Sequence, residues 1–251
     1  MSGKKVTALI TGASSGLGAE FCRQLAARCD VIIAVARRKE RLETLADELA
    51  GTVEMHCVEA DLESIEGVAR AMEAIRQQGP VAYLVNNAGF GALGSFETSA
   101  IESQRSMVNL HIDTSITLCR AAIPYMRELG GGTIINVSSV GSFVSGEGMA
   151  VYGASKAFLN YYSQALQMEL AGSGIEVQAL SPGFTRTEFH DSMAQEDFDL
   201  KRIPEQMWMT AEAVVAVSLG ALGSGDVLVV PGEDNRNVAR MGLQQQLDSL
   251  H

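Results

Sequence analysis

The chain reads as an α/β protein built on one doubly wound parallel sheet of about seven strands, with helices on both faces. Three observations predict this. Short apolar runs recur at about 5–11, 31–36, 52–59, 81–88, 133–139, 175–181 and 226–231. Helical periodicity fills the intervals between them, and a glycine cluster closes the first run. Apolar runs of this kind suit strands buried on both faces, and alternation of strand with helix makes neighbouring strands parallel.

The elements follow in order. Val6-Thr7-Ala8-Leu9-Ile10 is a short buried strand that runs into Thr11-Gly12-Ala13-Ser14-Ser15-Gly16-Leu17-Gly18 and then a helix. That layout suits a pyrophosphate: glycines let the backbone approach it, and a helix N-terminus supplies open N–H groups and a positive dipole end. The second strand, Val31 to Ala36, leads into Arg37-Arg38, two guanidiniums matched to a phosphate. Asp61-Leu62 follows the third strand, and Ile65, Val68, Met72 and Ile75 form one stripe of the next helix. The fourth strand exits into Asn86-Asn87-Ala88-Gly89. A helical segment from about 102 to 128 carries Asn109, a residue of poor helix propensity, and His111, which is expected to face elsewhere and to be structural. The fifth strand ends at Ser139 and the sixth at Ser181-Pro182-Gly183. From 184 to 209 the chain is long for a connection and holds Phe184, Phe189, Met193, Phe198, Met207 and Trp208, so a lid is expected there. In the C-terminal extension, about 233–251, Val238, Met241, Leu243, Leu247 and Leu250 are loosely helical in spacing. It is expected to cover the lid or a neighbouring subunit. With no repeat and no linker, residues 1–251 are expected to form a single domain.

One trio carries chemistry. Tyr152 and Lys156 are four residues apart and share a helix face, and Ser139 lies upstream at a strand end. A cation beside a phenol favours the phenolate and lowers a pKa that is otherwise about 10. The tyrosine then serves as a general acid or base at a carbonyl oxygen that Ser139 orients.

Composition narrows the class. Hydrophobic residues make up 47% of 251, enough for a large core, yet no run reaches the ~18 apolar residues of a membrane span. A net charge of −11 argues against nucleic-acid binding, which needs cations against phosphates. The N-terminus leads directly into the first strand, so no signal peptide is expected. Cys22, Cys29, Cys57 and Cys119 lack metal or C-x-x-C spacing and read as free thiols in a reducing cytoplasm. The four histidines do not cluster with other ligands, so metal catalysis is not expected.

Together the motifs resemble those of the classical short-chain dehydrogenases/reductases. The resemblance rests on the G-x-x-x-G-x-G turn from Gly12 to Gly18, Asn86-Asn87-Ala88-Gly89, Ile134-Ile135-Asn136-Val137-Ser138-Ser139, Tyr152-x-x-x-Lys156 and Ser181-Pro182-Gly183, in the family's order across residues 4 to 232. It implies a Rossmann-type fold binding NADP(H). Cofactor contacts would come from Gly12, Ser14, Ser15, Gly16, Leu17 and Gly18, from Arg37 and Arg38, and from Asp61 and Leu62 at the adenine. Asn87, Ala88 and Gly89 would lie along the adenine ribose. Tyr152 and Lys156 would meet the nicotinamide end, with Pro182, Gly183 and Thr185 at the nicotinamide and pyrophosphate. Ala36 stands where NAD-dependent members carry Asp, which favours NADP(H), with Arg37 expected to carry most of the 2′-phosphate recognition. Ser15 departs from the basic residue that many NADP-dependent members place in the turn.

The resemblance also implies that Asn109 joins Ser139, Tyr152 and Lys156 as a fourth catalytic residue, holding a water beside the lysine. The implied activity is NADPH-dependent reduction of a hydrophobic ketone, such as a 3-oxoacyl, polyketide-like or steroid-like compound. The pocket would draw on Val140, Gly141, Phe143, the stretch from Phe90 to Leu93 and the lid. Ser145-Gly146-Glu147-Gly148 departs from the family's proline-containing loop, and Glu147 is a candidate for selecting a polar or cationic group. A homodimer or homotetramer through the helices of Asn109 and Tyr152 is implied as well. Two alternatives stay open here: an NADP-dependent alcohol dehydrogenase working oxidatively, and a non-catalytic NADP(H)-binding sensor.

Overall fold

The computed structural model describes residues 5–190 and 203–250. Strands β1 (Thr7–Thr11), β2 (Val31–Ala36), β3 (Glu54–Glu59), β4 (Val81–Asn86), β5 (Gly132–Val137), β6 (Ile175–Leu180) and β9 (Leu228–Val229) form one parallel sheet in the order β3-β2-β1-β4-β5-β6-β9. These are the seven strands expected from the apolar runs. Two short strands, β7 (Thr185–Arg186) and β8 (Met209–Thr210), pair separately. The helices are α1 (Gly16–Leu25), α2 (Lys39–Glu48), α3 (Ile65–Gln78), α4 (Ile101–Val108), α5 (Thr114–Leu129), α6 (Ala150–Glu169), α7 (Ala211–Gly220) and α8 (Glu233–Asp248).

Alternation along each strand divides the core into two layers. Ala8 and Ile10 of β1, with Ile32 and Ala34 of β2, face Phe21 and Leu25 of α1, Leu42 of α2 and Val214 of α7. Leu9, Ile33 and Val35 point the other way, toward Ile75 of α3, Leu118 and Met126 of α5 and Leu166 of α6. Each such side chain contributes about 2 kcal/mol by leaving water. The edge strand β3 is only partly buried and carries Glu54, His56 and Glu59, charges that discourage pairing with another sheet.

Two helices depart from their expected faces. On α3, Ile65 is 85% exposed, and the core side is made by Gly67, Ala71, Ala74 and Ile75. The reason lies at the helix start. Ser64 caps α3 by accepting from the Gly67 amide, and a Cβ on Gly67 would lie 1.8 Å from the Asp61 carbonyl oxygen. Small residues let α3 sit this close, so the face is set by contact rather than by bulk. On α8, Met241, Leu243, Leu247 and Leu250 face solvent, and Asn235, Ala239 and Gly242 are buried instead. A Cβ on Gly242 would meet the Phe143 carbonyl oxygen at 2.1 Å, so glycine is what brings α8 against the turn after β5. The extension therefore packs on its own chain.

The segment expected to be one helix from 102 to 128 is α4 and α5 joined by a π turn at Asn109–Asp113. A π turn inserts one residue, which resets the register by a large part of a turn. The β7–β8 pair brackets the expected lid at both ends; its middle, including Met193 and Phe198, lies outside the described residues. No helix among the described residues is long and apolar enough to cross a membrane.

Candidate active site

Winding of the sheet reverses between β1 and β4, and a cavity of about 590 Å³ opens there beyond the strands' carboxyl ends. The glycine turn forms its floor. Gly12 at φ +66° and Gly16 at φ +54° adopt backbone that L side chains avoid. A Cβ on Gly18 would lie 2.2 Å from the Gly12 carbonyl oxygen, so the helix can start here only on glycine. Ser15 stands at the N-cap of α1 without bonding the helix through its side chain, which leaves the first-turn N–H groups open. One threonine locks this turn to the neighbouring strand. The Thr11 hydroxyl donates to the Val85 carbonyl and accepts from the Asn87 and Ala88 amides, while the Asn87 side chain donates back to the Thr11 carbonyl at 2.8 Å.

Both expected guanidiniums line the cavity, on different partners. Arg38 reaches over the glycine turn and donates to Ser14 Oγ, to Ser15 Oγ at 2.6 Å and to Glu188 at 2.9 Å. Arg41 also donates to Glu188, at 2.5 Å. These two cations hold the Glu188 carboxyl below its ordinary range. Arg37 points instead to Glu63 at 3.1 Å. Asp61 and Leu62 line the same end, with the Asp61 carboxylate accepting from the Glu63 amide.

At the other end stand Ser139, Tyr152 and Lys156. Tyr152 and Lys156 occupy successive turns of α6 and are nearly fully buried, at 6% and 4% exposure. Ser139 Oγ accepts from the Gly141 amide at 3.0 Å, so its proton is free to be donated. Burial raises the Tyr152 pKa above its ordinary value, and the Ser139 hydrogen bond opposes that rise. Burial lowers Lys156 to about 7. Its ammonium lies 6.0 Å from the Tyr152 ring centre and donates to the Val137 carbonyl at 2.9 Å. The expected lowering of the phenol by the lysine is thus not the dominant effect; removal of both groups from water outweighs their attraction.

Pro182, Gly183 and Thr185 form the far wall, and the Pro182 carbonyl accepts from the Val140 amide at 2.8 Å. Apolar lining comes from Phe90, Leu93, Val140, Phe184 and Phe189, with Gly141 beside them, as expected. Phe143 is buried outside the cavity, and Glu147 is exposed and does not line it. Asn109 is not part of the lining either: its side-chain amide donates to the Glu63 carbonyl at 2.9 Å. Four contributors were not anticipated. His111 packs against α6 beside Lys156, Glu188 closes over the arginines, and Asn235 and Val238 of α8 complete the wall. Among the described residues no group of side chains could hold a metal ion. Burial raises all four thiols, with Cys29 and Cys119 pushed up to about 12, so they are unreactive.

The depressed Lys156 pKa has a measurable consequence. Between about pH 7 and 10.5 the unfolded chain holds a proton on this lysine that the folded chain does not, so stability rises with pH through that window. Below pH 7 both states are charged and the full burial cost applies. Lys156→Met should stabilise the fold by about 3 kcal/mol at pH 7, after allowing for the lost bond to Val137, with the gain vanishing above pH 10.5. Urea unfolding of both forms at the two pH values reads this.

Comparison with known proteins agrees with this geometry. The family described as short chain dehydrogenase matches residues 6–197. A sulfoacetaldehyde reductase from Chromohalobacter salexigens is 38% identical over 186 residues, covering 72% of each chain. A short-chain dehydrogenase from Sphingobium yanoikuyae, solved in complex with NADPH, superposes with a TM-score of 0.83 at 33% identity, over 98% of this chain and 96% of that one. A bulky-bulky ketone specific alcohol dehydrogenase from Comamonas testosteroni gives 0.80 at 31% identity, over 98% and 95%. With its reversed parallel sheet, glycine turn and buried Ser–Tyr–Lys group, the chain belongs to the short-chain dehydrogenase/reductase family and is an oxidoreductase acting on CH–OH and C=O groups.

Proposed function

We propose that the protein is an NADPH-dependent carbonyl reductase for a hydrophobic ketone. The observation that carries this is that Ser139, Tyr152 and Lys156 open onto the same cavity as the glycine turn and Arg37 and Arg38. The residues fit a dinucleotide phosphate. Absence of a side chain at Gly18 lets backbone approach a pyrophosphate, the first turn of α1 offers open N–H groups, and cations stand at the end of β2. Arg38, already bonded to both turn serines, is the better placed for a 2′-phosphate, which would replace Glu188 as its anion. The NADPH complex of the Sphingobium yanoikuyae relative supports the choice.

When bound, the cofactor supplies hydride to the carbonyl carbon. Tyr152 donates its proton to the carbonyl oxygen, and its protonated form is the one burial favours. Ser139 keeps a free hydroxyl proton for the same oxygen because its lone pair is occupied by the Gly141 amide. The Lys156 ammonium stabilises the tyrosinate left behind. Asn109 is proposed to act through the backbone of the π turn, since its side chain is committed to Glu63. The apolar lining supports a ketone flanked by hydrocarbon, and the printed specificity of the Comamonas testosteroni relative is in keeping with this. An apolar groove lined by Phe96, Val108, Ile112 and Phe158 on α4, the π turn and α6 supports a homo-oligomer through that face.

Tyr152→Phe should keep NADPH binding and lose about 10²–10⁴-fold in ketone turnover. Spectrophotometric NADPH oxidation against a panel of aliphatic, aromatic and steroid ketones checks it, and undiminished turnover would refute the role of Tyr152. Arg38→Asp should weaken NADPH binding roughly 30–100-fold and Arg37→Asp less than about tenfold, with NADH affinity little changed in either. Calorimetric titration separates the two. Phe158→Asp should shift the particle mass measured by light scattering toward the monomer, and an unchanged mass would exclude this interface.

A further inference from the structure

His111 sits in the π turn at 1% exposure, with a polar ring edge that the chemistry so far does not use. Its hydrogen bonds fix its tautomer. Nδ1 lies 2.9 Å from Ser155 Oγ, and that hydroxyl gives its one proton to the Tyr152 carbonyl at 2.7 Å. Nδ1 must therefore carry the ring proton, which leaves Nε2 as a bare lone pair. Nε2 is fully buried and has no hydrogen-bond partner. A buried acceptor without a donor is costly and calls for an explanation.

Its surroundings supply one. A Cβ built on Gly89 would stand 2.7 Å from His111 Nε2 and 3.6 Å from Lys156 Nζ. The missing side chain of Gly89 thus leaves a gap with the bare acceptor on one side and the ammonium on the other. That ammonium has three protons and gives one to Val137. Charged and titratable groups facing the ring are Lys156 and Tyr152, both on α6; the exit of β4 brings only Gly89 and the Phe90 ring. Burial and the lysine charge both hold the imidazole neutral, so it stays an acceptor at working pH.

We propose that His111 is a positioning residue for Lys156: across one bridging water in the Gly89 gap, Nε2 accepts from the ammonium, keeps it charged and aims it at Tyr152. This rests on the reading of Tyr152 and Lys156 as the proton-transfer pair. The ring differs from a structural histidine in what its two nitrogens do, and two substitutions separate them. His111→Asn retains a donor toward Ser155 and lacks the Nε2 acceptor. His111→Gln carries an acceptor out to the Nε2 position.

The first measurement needs no turnover. Nitrogen-15 NMR of the ring should report the Nδ1–H tautomer, unprotonated down to about pH 5. Carbon-13 titration of the Lys156 side chain should give a pKa about one unit lower in His111→Asn than in the wild type, and unshifted in His111→Gln. The Nε2–H tautomer, or a lysine pKa that moves equally in both variants or in neither, would overturn the proposal. In ketone reduction the alkaline limb of the kcat profile should follow the lysine, moving down about one unit in His111→Asn alone, with KM for NADPH unchanged. A wild type without Tyr152-dependent turnover would refute the reductase reading, and the NMR result would still decide the role of His111.

Discussion

The site depends on the junction of β1 with β4. Chain connectivity sends β2 and β3 to one side of β1 and β4 onward to the other, so no crossover covers the strand ends between them. Thr11 and Asn87 hold that junction rigid through four short hydrogen bonds, which leaves the glycine turn no freedom to collapse into the gap. The phosphate end of the cavity is then set by β1, β2 and α1, and the proton-transfer end by β5 and α6. A single frame fixes the distance between the two.

At the proton-transfer end the governing balance is between dehydration and attraction. Tyr152 and Lys156 are both withdrawn from water, and each is pushed toward its neutral form, the phenol upward and the amine down to about 7. Such a pair holds its charge only by what surrounds it. The neighbouring acceptors for the lysine, Val137 and the proposed His111, count for as much as the tyrosine itself. This places the π turn within the electrostatics of the site although none of its side chains touches the reacting atoms.

Much of this was legible in the chain. The strands were readable because a parallel sheet buried on both faces demands unbroken apolar runs such as Val31 to Ala36, and the glycine turn because only glycine tolerates the positive φ of Gly12 and Gly16. Tyr152 and Lys156 were readable from helical spacing. What escaped notice depends on contacts between distant segments. The π turn shifts register without any residue that announces it, so His111 arrives beside Lys156. Gly67 and Gly242 draw α3 and α8 in along small-residue faces, which leaves Ile65 and Leu247 in solvent against the periodicity. The partition of Arg37 and Arg38 between Glu63 and the serine-lined turn follows from the path of the backbone after β2.

Glu188 carries a consequence of its own. Its carboxylate already bridges Arg38 and Arg41, and the strand pair β7–β8 tethers it a few residues away. A tethered group competes at an effective concentration of the order of millimolar or above. Free anions at lower concentration, bound by charge alone, do not displace it. A ligand that also gains from the glycine turn and the far wall does. The arginines are thereby selective for an anion that arrives as part of a larger molecule, and the selection comes from a competitor that the chain supplies itself.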